Sequence, residues 1–143
     1  SDVFKEEVSE EDSKVLEENT KTLTEIFKKA LGRENLEVKV EKLKNAETSS
    51  MITLKEESRR MQDMMKMYGM TDMSMFGNEG ETLILNANHT LVKYILEHGE
   101  GEHTDIICQQ LYDLALLSHK PLEAAALTAF IQRSNKIMEI LAK

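Results

Sequence analysis

Residues 105–143 read DIICQQLYDLALLSHKPLEAAALTAFIQRSNKIMEILAK, two amphipathic helices meeting at one break. The first carries Ile106, Ile107, Leu111, Leu114, Ala115 and Leu117. The second carries Leu122, Ala126, Leu127, Phe130, Ile131, Ile137, Met138 and Leu141. Between them stands Ser118-His119-Lys120-Pro121, with the only proline of the chain. Proline suits the first turn of a helix, where no backbone N–H is needed, so the second helix is expected to begin there. The two helices should then fold back as an antiparallel hairpin. In the second helix apolar residues recur at steps of three and four, with small Ser134 in the same stripe, which is the pattern of a packing seam. Ala124, Ala125, Ala126 and Ala129 allow close helix approach. A hairpin this apolar needs neighbours on more than one side, from the rest of the chain or from a second copy.

Upstream the pattern alternates between helix and strand. Residues 1–8 read as a loose lead-in to a domain spanning 9–143. Ser9 with Asp12 three residues on resembles a capping pattern. The helix it opens has Val15, Leu16, Leu23, Ile26, Phe27, Ala30 and Leu31 on one face and ends at Gly32. Leu36, Val38 and Val40 alternate with charges, the period of a half-buried strand. After a turn at Asn45-Ala46-Glu47-Thr48, Met51-Ile52-Thr53-Leu54 reads as a second strand, and the spacing favours a hairpin of the two, with a longer connection as the alternative. A second helix follows from Glu56 to Met70, then a glycine-punctuated loop over 69–80. Thr82-Leu83-Ile84-Leu85 is a third strand, and Asn88 is placed to cap a helix starting at His89-Thr90 that stops at Gly99. The predicted class is α+β: a small three-stranded sheet covered by helices, ending in the helical hairpin.

Composition narrows the function classes. The chain has 143 residues, 41% apolar and 31% charged, and one domain with its own core is expected. No apolar run approaches the roughly twenty residues of a membrane span, and no signal-peptide pattern opens the chain. Cys108 is the only cysteine, so no internal disulfide can form. These features lead us to expect a cytoplasmic protein. Residues 1–18 hold eight acids and two lysines, −6 of the net −8. That acidic start argues against nucleic acid as a partner, since phosphate contacts need clustered Lys and Arg. The chain begins at a serine, and an excised piece of a longer protein is expected.

Two features could carry function. Seven of the nine methionines fall between 61 and 75: Met61, Met64, Met65, Met67, Met70, Met73 and Met75. Met61, Met64, Met65 and Tyr68 share one helical face, at i, i+3, i+4 and i+7. Such a face is either a core helix with methionine as filler or an adaptable binding surface. Methionines in the loop favour the second, because core filling does not require them beside Gly69, Gly77 and Gly80. Catalytic signals are sparse. There is no phosphate loop or dinucleotide fingerprint. His89, His98, His103 and His119 form no i, i+4 pair, and Cys108 stands five residues from His103, off the same helical face. Ser118-His119 has no Gly-x-Ser-x-Gly elbow to make a triad of it. No catalytic, cofactor or metal site is assigned.

Several segments do resemble a known family. Thr82 to Lys93 (TLILNANHTLVK) is similar to the strand, Asn-x-x-His, Leu-[Val/Ile]-Lys stretch of the ninety-kilodalton heat-shock chaperones. Ser58 to Met65 resembles that family's methionine-bearing amphipathic helix. Leu111 to Leu117 and Phe130 to Ile137 resemble its last two helices. The end of the chain, without an acidic Met-Glu-Glu-Val-Asp tail, looks like the bacterial subfamily, HtpG. The resemblance runs from the first helix onward, in order, through segments none of which is specific alone. It implies a homodimeric, ATP-driven chaperone whose ATP and magnesium site and catalytic arginine lie in other domains, so that these residues have no cofactor and no ATP hydrolysis of their own. This piece would be the C-terminal dimerization domain, pairing with a second copy through a four-helix bundle. The interface would use Ile107, Leu111, Leu114, Leu127, Phe130, Ile131, Ser134, Ile137, Met138 and Leu141. Unfolded client proteins would meet Met61, Met64, Met65 and Tyr68; the match fades after Tyr68, and Met70, Met73 and Met75 join that face by composition only. The alternative is a free-standing adaptor or small enzyme with its own pocket.

Overall fold

The computed structural model describes residues 5–69 and 80–143. The first helix, α1, spans Glu10–Leu31. Ser9 stands extended ahead of it, and its Oγ accepts the Asp12 N–H at 3.2 Å. Glu10, Glu11 and Asp12 place negative charge at the positive end of the helix dipole. At the other end Gly32 takes φ 66°, a left-handed turn that a β-carbon resists. That turn lets the Gly32 and Arg33 N–H groups bond back to the Lys29 and Lys28 carbonyls.

Three strands follow: β1, Glu37–Glu41; β2, Ser50–Leu54; and β3, Glu81–Asn86. The sheet is mixed, in the order β1-β3-β2, with β1 parallel and β2 antiparallel to β3. The expected β1–β2 hairpin is therefore incorrect: β3 lies between them. All six residues of β3 are buried, so its backbone polar groups must be satisfied by a strand on each side. In β1, an edge strand, Val38 and Val40 are buried while Lys39 between them is exposed, the pattern of a strand with one face in the core. The turn at Asn45–Thr48 does form, with Thr48 N–H bonded to the Asn45 carbonyl at 3.2 Å. It belongs to a longer connection. Lys5 bridges to Leu43 beside this connection, and the Glu6 N–H donates to the Lys42 carbonyl at 2.8 Å, so the described end of the lead-in is tied to the fold.

The remaining helices are α2 (Glu56–Met67), α3 (Thr90–Glu97), α4 (Thr104–Leu117) and α5 (Ala124–Leu141). α1 packs over β1 and α4 over β2, and the two helices touch each other above the sheet. The register aligns Val38, Leu83 and Ile52 in one row beneath them, next to Val40 and Leu85. Leu23 and Phe27 of α1, Val92 and Ile95 of α3, and Cys108 and Leu111 of α4 complete the core. The cap of α3 differs from expectation. His89, not Asn88, is the N-cap, its Nδ1 accepting the Leu91 N–H at 3.1 Å. Asn88 is drawn away by the Leu43 carbonyl, to which its Nδ2 donates at 3.0 Å. Pro121 also falls outside the first turn of α5. Leu122 packs against the core, so the chain stays extended to Glu123 before the helix begins at Ala124.

Candidate functional site

α5 returns along α4 as an antiparallel hairpin, held by a polar clamp. Arg133 Nη1 donates to Asp113 Oδ2 at 2.9 Å and to Gln110 Oε1 at 3.3 Å. Gln110 Nε2 in turn donates to Ser134 Oγ at 3.1 Å. Opposing pairs 113/133 and 110/134 fix the register of the two helices.

The clamp divides α5 into two stripes. Ala126, Phe130, Arg133, Ser134, Ile137 and Ile140 are half-buried, toward the chain's own fold. Leu127, Ile131, Met138 and Leu141, about a quarter-turn further round, are exposed, and no residue of α5 is fully buried. On α4, Leu114 and Leu117 are exposed as well, in line with half-buried Ile107 and Gln110. The structure thus brings six large apolar side chains of the hairpin to the surface. Leu111 does not join them. It is 2% exposed and lies in the core under α1 and the sheet, leaving nothing for a partner, so its place in the expected interface is corrected.

α2 carries the second surface. None of its described side chains is buried; Met65 is half-buried, and Met61, Met64 and Met67 are exposed, as is Tyr68 just beyond the helix. Met61, Met64, Met65 and Tyr68 do share a face, and that face is not part of the core. Met70, Met73, Met75 and Gly77 lie outside the described residues.

One cluster had no signal in the sequence. The Arg33 guanidinium lies 4.6 Å over the Tyr112 ring and donates to its hydroxyl. The hydroxyl faces Glu81 Oε2 at 3.5 Å, and Lys120 Nζ meets Glu81 Oε1 at 3.2 Å. Burial pushes the Tyr112 pKa up, Glu81 and Asp113 add to this, and Arg33 opposes it. Beside the cluster is a cavity of about 270 Å³, lined by Arg33, Leu36, Ile52, Glu81, Leu83 and Tyr112. These residues come from four separate parts of the chain, with no spacing that could have announced them. The groups are engaged with one another and tie the α1–β1 loop, β3, α4 and the α4–α5 connection together.

Among the described residues, no group of three or more His, Cys, Asp or Glu side chains could hold a metal ion, and no helix is long and apolar enough to cross a membrane. No protein-family model matches this chain, and no curated protein matches it significantly.

Proposed function

We propose that this chain is the homodimerization module of an ATP-dependent molecular chaperone, with α2 as a contact surface for unfolded client proteins. The observation that carries the first half is the exposed stripe Leu127, Ile131, Met138 and Leu141 beside Leu114 and Leu117. An apolar strip of this length on a monomer surface is the mark of an interaction site. Its self-complementary partner is a second copy, since two identical hairpins related by a two-fold axis form a four-helix bundle in which each contact occurs twice. The exposed methionine face of α2 supports the second half. Methionine adapts its shape to many apolar partners, which suits a surface for unlike unfolded segments. The resemblance of residues 82–93 and of the last two helices to the ninety-kilodalton heat-shock chaperones joins the two surfaces in one reading, which carries with it a cytoplasmic location. ATP and magnesium belong to other domains of such a protein, and the module itself hydrolyses nothing. The competing reading, a free-standing adaptor or small enzyme, has the cavity beside Tyr112 as its specific support.

Sedimentation with and without ATP separates the two. The module is expected to be a dimer indifferent to nucleotide, and Ile131→Asp is expected to be a monomer with an unchanged far-UV spectrum, because Ile131 is exposed in the single chain. A wild-type chain that sediments as a monomer at low micromolar concentration would overturn the dimer. For α2, Met61→Ser/Met64→Ser should melt like the wild type and capture less of an unfolded protein. A large fall in stability with capture unchanged would overturn α2 as a client surface.

A further inference from the structure

Among the described residues, the thiol and three methionines of α2 differ in their access to water. The only thiol, Cys108, is fully buried in the core beneath α1. Burial, helped by the charge of Asp105, pushes its pKa up to about 12, so at neutral pH the reactive thiolate is not formed. A thioether needs no deprotonation: its sulfur lone pair is always available, and access decides its rate. Met61, Met64 and Met67 are 46%, 50% and 86% exposed, within one turn and a half of α2. Met51 on β2 is half-buried; Met138 is 57% exposed in the single chain and is covered only in the dimer proposed above.

We propose that, among the described sulfur-bearing side chains, Met61, Met64 and Met67 are the preferred site of oxidative modification, and that their conversion to sulfoxides by a peroxide switches off the apolar face of α2. The sulfur lone pair attacks one peroxide oxygen. The S–O bond forms as the O–O bond breaks, the sulfur loses two electrons, and the second oxygen leaves as water after a proton shift. The product is a polar, strongly hydrogen-bonding side chain where an apolar one stood. Because this face does not belong to the core, oxidation removes apolar contact surface and leaves the fold intact. A dithiol-dependent sulfoxide reductase restores the thioether, which makes the switch reversible. The switch rests on the reading of α2 as a client surface; selectivity over Met51 and Cys108 does not, and selectivity over Met138 rests on the proposed dimer.

The experiment treats the full chain with limiting hydrogen peroxide, removes the peroxide, maps the added oxygens by peptide mass spectrometry, and measures capture of reduced, carboxymethylated lactalbumin. Met61, Met64 and Met67 should be oxidised before Met51 and Cys108. Capture should weaken on the order of tenfold, as expected for loss of a few buried methyl and thioether groups, and return after treatment with the reductase. Whatever its starting level, capture by Met61→Leu/Met64→Leu/Met67→Leu should not change on peroxide treatment, because no oxidisable sulfur remains at those three positions. Oxidation of Met51 or Cys108 at the same rate overturns the selectivity. Unchanged capture by fully oxidised wild type overturns the switch alone. If untreated wild type captures no more than Met61→Ser/Met64→Ser, the client-binding reading fails and the switch fails with it.

Discussion

Asn86 is the residue on which most of the loop structure depends. Its side chain is fully buried and makes four bonds to backbone. Oδ1 accepts the Leu43 and Asn88 N–H groups at 3.1 and 2.9 Å, and Nδ2 donates to the Asn45 and Thr48 carbonyls at 3.1 and 2.7 Å. One carboxamide thus satisfies all its own capacity and holds the β1–β2 connection beside the end of β3. Asn86→Ala leaves several of these groups without partners, and should cost on the order of 3 kcal/mol, seen as a lower urea midpoint with an unchanged slope. Sequence reasoning saw Asn86 only as a strand boundary, because three of its four partners are about forty positions away. Cys108 supplies a pH test. Its folded pKa, about 12, lies above the ordinary value of 9.0, so the fold favours the neutral thiol. That contribution is complete below about pH 9 and is lost as pH rises toward 12. Cys108→Ala should therefore lose less stability than the wild type between pH 8 and 11, roughly the onset of that window, in urea titrations at fixed ionic strength.

At the scale of elements, α5 owes its position to the clamp as much as to its apolar stripe. Arg133 and Asp113 are only 13% and 12% exposed, so water screens their attraction little. Removing one partner leaves a largely desolvated charge behind. Arg133→Ala should destabilise the hairpin by about 3 kcal/mol, and the double change Arg133→Ala/Asp113→Ala by less than the sum of the single changes. A strictly additive cycle would mean that the pair contributes no coupling. The positions of α1, α4 and α5 were legible because apolar periodicity of three and four persists over their lengths. The partition of α5 into an inner and an outer stripe was not. Both stripes are apolar, and only the register set by residues 110, 113, 133 and 134 turns Phe130 inward and Ile131 outward.

At the scale of the whole molecule, a proposed dimer makes stability depend on concentration. Association adds free energy to the folded state by mass action, so the thermal midpoint should rise with protein concentration in the wild type and stay constant in Ile131→Asp. Equal behaviour of the two would argue against folding linked to this stripe. The chain's own pattern determined the α+β class, the order of the eight described elements, the start and stop of α1, and the shared face of Met61, Met64, Met65 and Tyr68. These are local properties: periodicity, capping residues and a glycine that accepts a left-handed turn. Tertiary structure alone decided that β3 sits between β1 and β2, that His89 rather than Asn88 caps α3, and that Leu111 belongs to the core while Leu114 faces water. It also assembled Arg33, Glu81, Tyr112 and Lys120. The physical reason is the same in each case. Strand order, cap choice and burial are settled by which distant groups compete for the same hydrogen bonds and the same apolar volume, and that competition exists only once the chain has folded.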